Sequence, residues 1–234
     1  MLDLSGFRKL LIYGGSFDPP HVGHVALPGA VARRVGADVV VYVPAGRAPH
    51  KLERRQTDAA ERLAMLRIAL AEAEAEAGVG VAGGEGQEVP RVATRVLEDE
   101  VRRAGDGRPS YTVDTLSRLR PRLGAGAEMR LLIGMDQVSI FESWKDWRRV
   151  VELAEPLVMR RPGEAEAASL SAAWRARVVE VPTMAVSSSE VRRRVAAGES
   201  LKGLVSRGVA RYIEERGLYR ADESGVVGDG GAVD

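Results

Sequence analysis

Two of the three histidines in the chain lie three residues apart in the stretch GGSFDPPHVGH, which runs from Gly14 to His24. The stretch follows the apolar run KLLIY and leads into a predicted helix, whose start places the imidazoles of His21 and His24 on one side. Its glycines allow a phosphate to approach the backbone closely, Ser16 offers a hydroxyl, and free N–H groups at a helix N-terminus attract anions. Two imidazoles there can stabilise the charge that develops during an in-line displacement at phosphorus. The stretch therefore predicts a polyphosphate site in which Ser16, His21 and His24 are catalytic and no covalent intermediate forms.

Other chemistries fit this stretch less well. A zinc site needs a third strong ligand, and the third histidine, His50, lies in a different part of the chain. No GKS or GKT follows the glycines, so the stretch is not a Walker A loop, and it does not match GxGxxG. Two histidines three residues apart are usually ordinary surface residues. This pair, however, follows a predicted strand and a turn at residues 14–20, called the glycine turn. We therefore expect phosphate chemistry and no metal site formed by the protein.

A second stretch, VSSSEVRRRV at 186–195, also has the residue types of an anion site. Ser187, Ser188 and Ser189 can cap the helix that follows, and its N-terminal amides together with Arg192 can hold phosphate oxygens. A serine-capped, arginine-rich helix on the protein surface would have the same sequence. The presence of GGSFDPPHVGH in the same chain favours the anion site.

Short apolar runs alternate with helical patterns along the chain, and these elements must position both stretches. The predicted strands are Lys9–Tyr13, Asp38–Val43, Arg91–Leu97, Met129–Ile133, Pro156–Arg160 and Arg177–Val181. The predicted helices are Val22–Val35, Asp58–Ala77, Thr112–Leu123 and Trp144–Ala154, with two more from about Ser188 and from about Ser206. Almost continuously apolar, β-branched strands are typical of a parallel sheet buried on both faces. The pattern predicts an α/β, doubly wound, Rossmann-like sheet, which binds ligands at the carboxyl ends of its strands.

Length and composition limit the organisation of the chain and its partners. We expect a single domain over 1–220, with a small helical C-terminal part at about 186–220 and a disordered tail at 221–234. The glycine-rich segment 78–90 is interpreted as a plain insertion rather than a lid. Because 34 basic residues balance 33 acidic ones, we expect neither nucleic acid nor a membrane as a partner. The sequence has no cysteine, membrane-spanning run or signal-cleavage pattern, so we expect a cytoplasmic protein without disulfides.

The two stretches resemble motifs of a known superfamily. GGSFDPPHVGH resembles the (T/S)F-D-P-x-H-x-G-H signature of nucleotidyltransferases, and VSSSEVRRRV resembles the ISSTxIR sequence of their adenylyltransferases. Between them, four segments are similar in order and spacing to the nicotinate mononucleotide adenylyltransferases of bacterial NAD biosynthesis: RPSYTVDTL, IGMD, ESWKDW and MRRPGE. The similarity runs from Leu10 to about Tyr219. It implies transfer of AMP from ATP to nicotinate mononucleotide, giving deamido-NAD and pyrophosphate, with Mg²⁺ arriving on ATP.

The resemblance also implies which residues contact each substrate. Those implied for ATP are Gly14, Gly15, Ser16, Phe17, His21, His24, Gly134, Asp136, Ser188, Ser189 and Arg192. Those implied for the mononucleotide are Lys51, Thr112, Trp144, Lys145 and Arg161. Asp136 would accept hydrogen bonds from the ATP ribose, although a cap for the next helix is an equal alternative. Trp144 would stack on the pyridine ring, whereas Trp147 shares an apolar stripe with Val150 and is expected in the core.

The segment PAGRAPHK departs from the family pattern because it lacks the usual asparagine and the first of two paired prolines. This departure leaves open whether the acceptor is nicotinate mononucleotide, nicotinamide mononucleotide or both. A non-catalytic nucleotide sensor on the same fold is a further alternative. A sensor needs only affinity and could lose both histidines, so their presence favours an enzyme. The oligomeric state is left open, a homo-oligomer included.

Overall fold

Six strands form one parallel sheet in the computed structural model, which describes residues 2–47, 56–79, 92–106, 109–160 and 177–220. The strands are β1 (Lys9–Gly15), β2 (Val39–Pro44), β3 (Ala93–Val96), β4 (Glu128–Gly134), β5 (Glu155–Arg160) and β6 (Arg177–Glu180). Their spatial order is β3-β2-β1-β4-β5-β6, and each neighbouring pair is parallel. The predicted α/β class with a doubly wound parallel sheet is confirmed.

Helices connect the strands and complete the C-terminal part. They are α1 (Val22–Val35), α2 (Ala59–Val79), α3 (Asp99–Arg103), α4 (Thr112–Leu119), α5 (Trp147–Leu153), α6 (Ser188–Ala196) and α7 (Arg207–Glu215). Single turns of 3₁₀-helix lie at Ala104–Asp106, Arg120–Arg122, Met135–Gln137 and Phe141–Ser143. Within the described ranges, none of the helices has the length and apolar character needed to cross a membrane.

The apolar side chains of the sheet alternate between two layers, as the two-residue period of a strand requires. Leu10 of β1 packs in one layer with Leu116 of α4 and Val150 of α5. Leu11 packs in the opposite layer with side chains of α1 and α2, such as Val31. Because every residue of β2 is also buried, the centre of the sheet is a rigid base for the loops at its carboxyl edge.

The last two helices pack on α2. Met65 of α2 forms a buried apolar cluster with Val191 of α6 and Val209 of α7. The two carboxylate oxygens of Glu72 accept hydrogen bonds from the backbone N–H of Gly208 at 2.9 and 3.1 Å. A carboxylate at a helix N-terminus satisfies its unpaired N–H groups and stabilises its dipole, so α2 fixes the start of α7.

One predicted helix is wrong at its start. The pattern predicts a helix over Trp144–Ala154, but α5 begins only at Trp147. Asp146 has a left-handed backbone with φ of 49°, which an α-helix cannot continue through, and Phe141–Ser143 forms a separate 3₁₀ turn. Trp144 therefore lies on the connection before α5 rather than on the helix.

Other differences are smaller. The helix predicted over Thr112–Leu123 ends as an α-helix at Leu119 and continues as a 3₁₀ turn containing Pro121, which has no N–H to donate. The sequence pattern does not predict the short helix α3. The expected tail at 221–234 and most of the glycine-rich segment 78–90 lie outside the described residues.

Candidate active site

A cleft of about 420 Å³ opens at the carboxyl ends of β1 and β4. The order of the strands reverses between these two neighbours, since β2 and β3 extend the sheet on one side and β5 and β6 on the other. Open α/β sheets bind their ligands at this switch point. The cleft lining includes several residues that the sequence singled out, namely Gly14, Gly15, Ser16, His24, Thr112, Gly134, Asp136, Trp144 and Ser188.

His24 borders the cleft from the first turn of α1. Its Nδ1 accepts a hydrogen bond from the backbone N–H of His21 at 3.2 Å. A neutral imidazole whose Nδ1 is an acceptor carries its proton on Nε2. The backbone thus selects the tautomer in which the Nε2–H of His24 is the donor that the ring can offer to an anion.

His21 lies directly behind His24, and the centroids of the two stacked rings are 3.6 Å apart. Gly23 leaves space for this arrangement, because a Cβ at residue 23 would lie only 3.1 Å from Nδ1 of His21. His21 is buried and lines a second hollow, of about 330 Å³ between α1 and α2, rather than the cleft. Its position supports the ring of His24 from behind, and its contact with ATP stays a prediction.

Phe17, which the resemblance places near ATP, does not line the cleft. Its side chain is 1% exposed and its backbone is left-handed with φ of 49°. A Cβ on Gly15 would lie 2.9 Å from the Phe17 ring, so this ring supports the glycine turn from below. The ring also meets the His24 imidazole edge-on, with 5.1 Å between centroids. A strained residue of this kind is typical of a turn held for function.

Pro28 and Tyr42 together fix the backbone of His24. Pro28 lies inside α1 and has no N–H, so it cannot donate to the carbonyl four residues earlier, which is that of His24. The hydroxyl of Tyr42, which is 2% exposed, donates to this carbonyl at 3.1 Å. Burial also raises the pKa of Tyr42, which keeps its hydroxyl protonated as a donor. A side chain of β2 thereby replaces the missing bond of the helix.

We expect Tyr42→Phe to lower the free energy of unfolding by about 1–3 kcal/mol, because the carbonyl of His24 loses its donor. The same change should cost much less in a Pro28→Ala background, since an alanine at this position would supply an N–H to this carbonyl. Urea denaturation of the four proteins in this double-mutant cycle measures the coupling. An equal cost of Tyr42→Phe in both backgrounds would contradict the assignment.

The serine stretch forms the beginning of α6. The hydroxyl of Ser187 accepts a hydrogen bond from the backbone N–H of Glu190 at 3.1 Å and so caps the helix. The hydroxyl of Ser188 borders the cleft and donates to the carbonyl of Pro19 at 2.8 Å. The start of α6 therefore packs directly against the DPP part of GGSFDPPHVGH.

Arg192 and Tyr219, both in the C-terminal part, form hydrogen bonds with Asp18 of the glycine turn. The guanidinium of Arg192 donates to the carbonyl of Asp18 at 2.6 Å and to the hydroxyl of Ser189 at 3.1 Å. The hydroxyl of Tyr219 donates to the Asp18 carboxylate at 2.7 Å, and burial and the Asp18 charge raise the pKa of Tyr219. Neither Ser189 nor Arg192 lines the cleft, and their contacts with ATP stay predictions.

Asp136 borders the cleft immediately after β4, in the turn Met135–Gln137. Its Oδ2 accepts a hydrogen bond from the side-chain amide of Gln137 at 2.7 Å. Its Oδ1 lies so close to Gly134 that a Cβ at residue 134 would collide with it. Gly134 thus allows the carboxylate to fold back over the end of the strand. Asp136 has the position expected of an acceptor for sugar hydroxyls, and this role stays a prediction.

Thr112 and Trp144 lie among the lining residues, beyond the glycine turn. Thr112 is the first residue of α4. The ring of Trp144 packs against that of Phe141 in a tilted arrangement, with 5.0 Å between centroids. Trp147, which is partly buried, packs against the same core cluster as Trp144 but is absent from the lining.

Lys145, a charged residue implied for the mononucleotide, is not part of the cleft lining. It forms an ion pair with Asp114 at 2.9 Å, and its ammonium group lies 4.7 Å from the centroid of the Tyr111 ring. Its side chain is half exposed, so it can turn toward a ligand. Lys51 and Arg161 lie outside the described residues.

Glu100, Ser110 and Thr112 line one wall of the cleft, and sequence reasoning missed two features of this wall. The backbone N–H of Gly46 donates to the hydroxyl of Ser110 at 3.1 Å, and the N–H of Ser110 donates to the carbonyl of Arg47 at 2.9 Å. The buried carboxylate of Glu100 accepts from the hydroxyl of Thr115 at 2.8 Å. The serine next to the YT pair could have been found by its type, whereas no local signal marks Glu100 as buried.

The chain matches known proteins over most of its length. Residues 12–194 match the model of the family described as cytidylyltransferase-like, so the chain belongs to this family. Relatives from Chromobacterium violaceum and Thermomicrobium roseum are each 37% identical to it, over 89% and 92% of this chain and 97% and 94% of theirs. Both are named probable nicotinate-nucleotide adenylyltransferase. Within the family, the chain belongs with the nicotinate-nucleotide adenylyltransferases.

Solved structures with low sequence identity have the same fold. The Plasmodium falciparum nicotinic acid mononucleotide adenylyltransferase complexed with NaAD superposes with a TM-score of 0.63 at 17% identity. The alignment covers 91% of this chain and 97% of that one. The same enzyme complexed with APC gives a TM-score of 0.61 at 18% identity.

Proposed function

We propose that this protein transfers AMP from ATP to nicotinate mononucleotide, with deamido-NAD and pyrophosphate as products. The observation that carries the proposal is that one cleft contains His24, at the start of α1, together with Thr112 and Trp144. The family relationship supports the same reaction. A non-catalytic sensor would not need an imidazole whose tautomer is selected by the backbone.

The reaction needs no covalent intermediate on the protein. A phosphate oxygen of the mononucleotide forms a bond to the α-phosphorus of ATP, while the bond from that phosphorus to the bridging oxygen of pyrophosphate breaks. Negative charge increases on the oxygens around phosphorus during this step. The Nε2–H of His24 donates to such an oxygen, and the backbone at Gly14 and Gly15 allows the triphosphate to approach closely.

Magnesium enters this reaction as part of its substrate, MgATP. Within the described part of the chain, no group of three or more histidine and acidic side chains could hold a metal ion. The carboxylate of Asp18, in the glycine turn, is bound by Tyr219 instead. A magnesium ion of this kind keeps several of its waters and is coordinated mainly by substrate phosphates.

The wall around Thr112 favours an acceptor that carries a carboxylate. The first N–H groups of α4 have no partner within the helix, and they begin at Thr112. Both oxygens of nicotinate can accept from such donors, whereas the amide of nicotinamide presents its own N–H groups to them. Stacking on Trp144 would hold either ring without distinguishing the two.

We expect catalytic efficiency to be at least about tenfold higher with nicotinate mononucleotide than with nicotinamide mononucleotide, since a mismatched buried donor costs about 1–3 kcal/mol. Pyrophosphate release measured with MgATP and each mononucleotide in turn gives both values. Equal efficiencies would overturn the preference for a carboxylate but leave adenylyl transfer intact. No release with either acceptor would contradict the enzyme and favour the sensor.

A further inference from the structure

One buried arginine joins three segments beneath the cleft. Arg62 of α2 is 1% exposed. Its guanidinium donates to the carbonyl of Ser16 at 2.6 Å, to that of Gly46 at 2.8 Å and to that of Thr57 at 2.9 Å. Arg62 itself does not line the cleft, so it acts on the site only through the backbone that it holds.

Burying this cation has a cost that its backbone partners offset. Removal from water lowers the pKa of Arg62, and the charge of Asp18 opposes that change. A buried charge is tolerated where it is hydrogen-bonded, and here three carbonyl oxygens accept bonds from all three nitrogens of the guanidinium. An apolar side chain could fill the same space without this cost, so packing alone does not explain an arginine at this position.

The two shortest of these hydrogen bonds hold backbone on two sides of the cleft, called here the ATP half and the acceptor half. Ser16 belongs to the glycine turn that the proposed function assigns to ATP. Gly46 follows β2, and its N–H donates to Ser110 of the wall assigned to the mononucleotide. A planar guanidinium fixes the distance and angle between its acceptors. It also keeps the carbonyl oxygens of Ser16 and Gly46 bound to a cation, which would weaken their repulsion of a phosphate in the cleft.

We propose that Arg62 is a positioning residue for adenylyl transfer. It fixes the position of the ATP half of the cleft relative to the acceptor half. This proposal rests on the proposed function. The attacking phosphate oxygen must meet the α-phosphorus in line, and a displacement of about 1 Å between reactants costs about a hundredfold in rate. Loss of Arg62 would therefore impair the encounter of two bound substrates more than the binding of either one.

The test compares Arg62→Met and Arg62→Lys with the wild type. Methionine removes all three donors, whereas lysine keeps the charge but, as a compact donor, cannot span two carbonyls in fixed geometry. We expect both variants to lower kcat by about tenfold to a hundredfold. The dissociation constants of MgATP alone and of nicotinate mononucleotide alone, measured by calorimetry, should stay within about threefold of wild type.

Arg67→Met is the matched control, because Arg67 lies on the same helix with its side chain 57% exposed and paired to Glu98. It should keep wild-type kcat. A second readout uses Arg62→Ala, in which guanidinium ion at a non-denaturing concentration should restore part of kcat while urea at the same concentration should not. Thermal melts identify variants that do not fold, and Arg62→Lys is the variant expected to fold best.

Two results would overturn the proposal. Wild-type kcat in folded Arg62→Lys or Arg62→Met would exclude the positioning role. A dissociation constant for one substrate that rises as much as kcat/KM falls would assign Arg62 to binding of that substrate. Failure of the proposed function is a different result, since wild-type protein would then release no pyrophosphate in the same assay.

Discussion

Replacing His24 with alanine is expected to lower kcat by about two to three orders of magnitude, the usual loss when one donor to a developing anionic oxygen is removed. The KM for ATP should change much less, because the ring acts mainly in the transition state. Steady-state pyrophosphate release with saturating nicotinate mononucleotide measures both values. Wild-type turnover in His24→Ala would show that the imidazole takes no part in the reaction.

Two further substitutions at this residue locate the donor. The amide nitrogen of glutamine can occupy the place of Nε2, whereas the shorter asparagine reaches only the place of Nδ1. Nδ1 is the atom that accepts from the backbone of His21. We expect His24→Gln to keep more activity than His24→Asn, and the reverse order would contradict the tautomer described above.

Replacing Trp144 with alanine is expected to raise the KM for nicotinate mononucleotide by about tenfold to a hundredfold, since stacking of an aromatic side chain on a base contributes about 1–3 kcal/mol. The KM for ATP should stay nearly unchanged, because the proposed function assigns the triphosphate to His24 and the glycine turn rather than to Trp144. Phenylalanine at this position should restore much of the affinity. Titration of each variant with the mononucleotide alone measures the effect.

Trp147→Ala separates binding from folding in this segment. Trp147 packs against the core and does not line the cleft, although it lies three residues from Trp144. Its loss should lower the melting temperature and leave the KM for the mononucleotide nearly unchanged. If Trp144→Ala instead lowers the melting temperature and leaves this KM unchanged, Trp144 belongs to the core.

The sequence predicts well those features that depend on nearby residues. The buried strands are visible as apolar runs, and the helix starts at Val22 and Ser188 follow from the residues that precede them. The place of the cleft follows from GGSFDPPHVGH, because Gly14, Gly15, Ser16 and His24 of this stretch all line it.

Features that depend on distant partners could not be predicted. Arg62 occupies an ordinary position in the helical pattern of α2, and two of its acceptors, Ser16 and Gly46, are 46 and 16 residues away. Nothing near Asp146 in sequence indicates that its left-handed backbone delays the start of α5. In both cases, tertiary contacts determine a feature of the structure that the local sequence pattern does not specify.

The hydrogen bond between Asp18 and Tyr219 joins residues that are 201 positions apart. Ribosomes add about 5–20 residues per second, so roughly 10 to 40 s pass between the synthesis of these two residues. During this time the glycine turn exists without Tyr219, and before α6 is made it also lacks the partners that this helix provides. The nascent chain can therefore build much of its sheet early, but it cannot complete the hydrogen bonds of its glycine turn until Tyr219 has been synthesised.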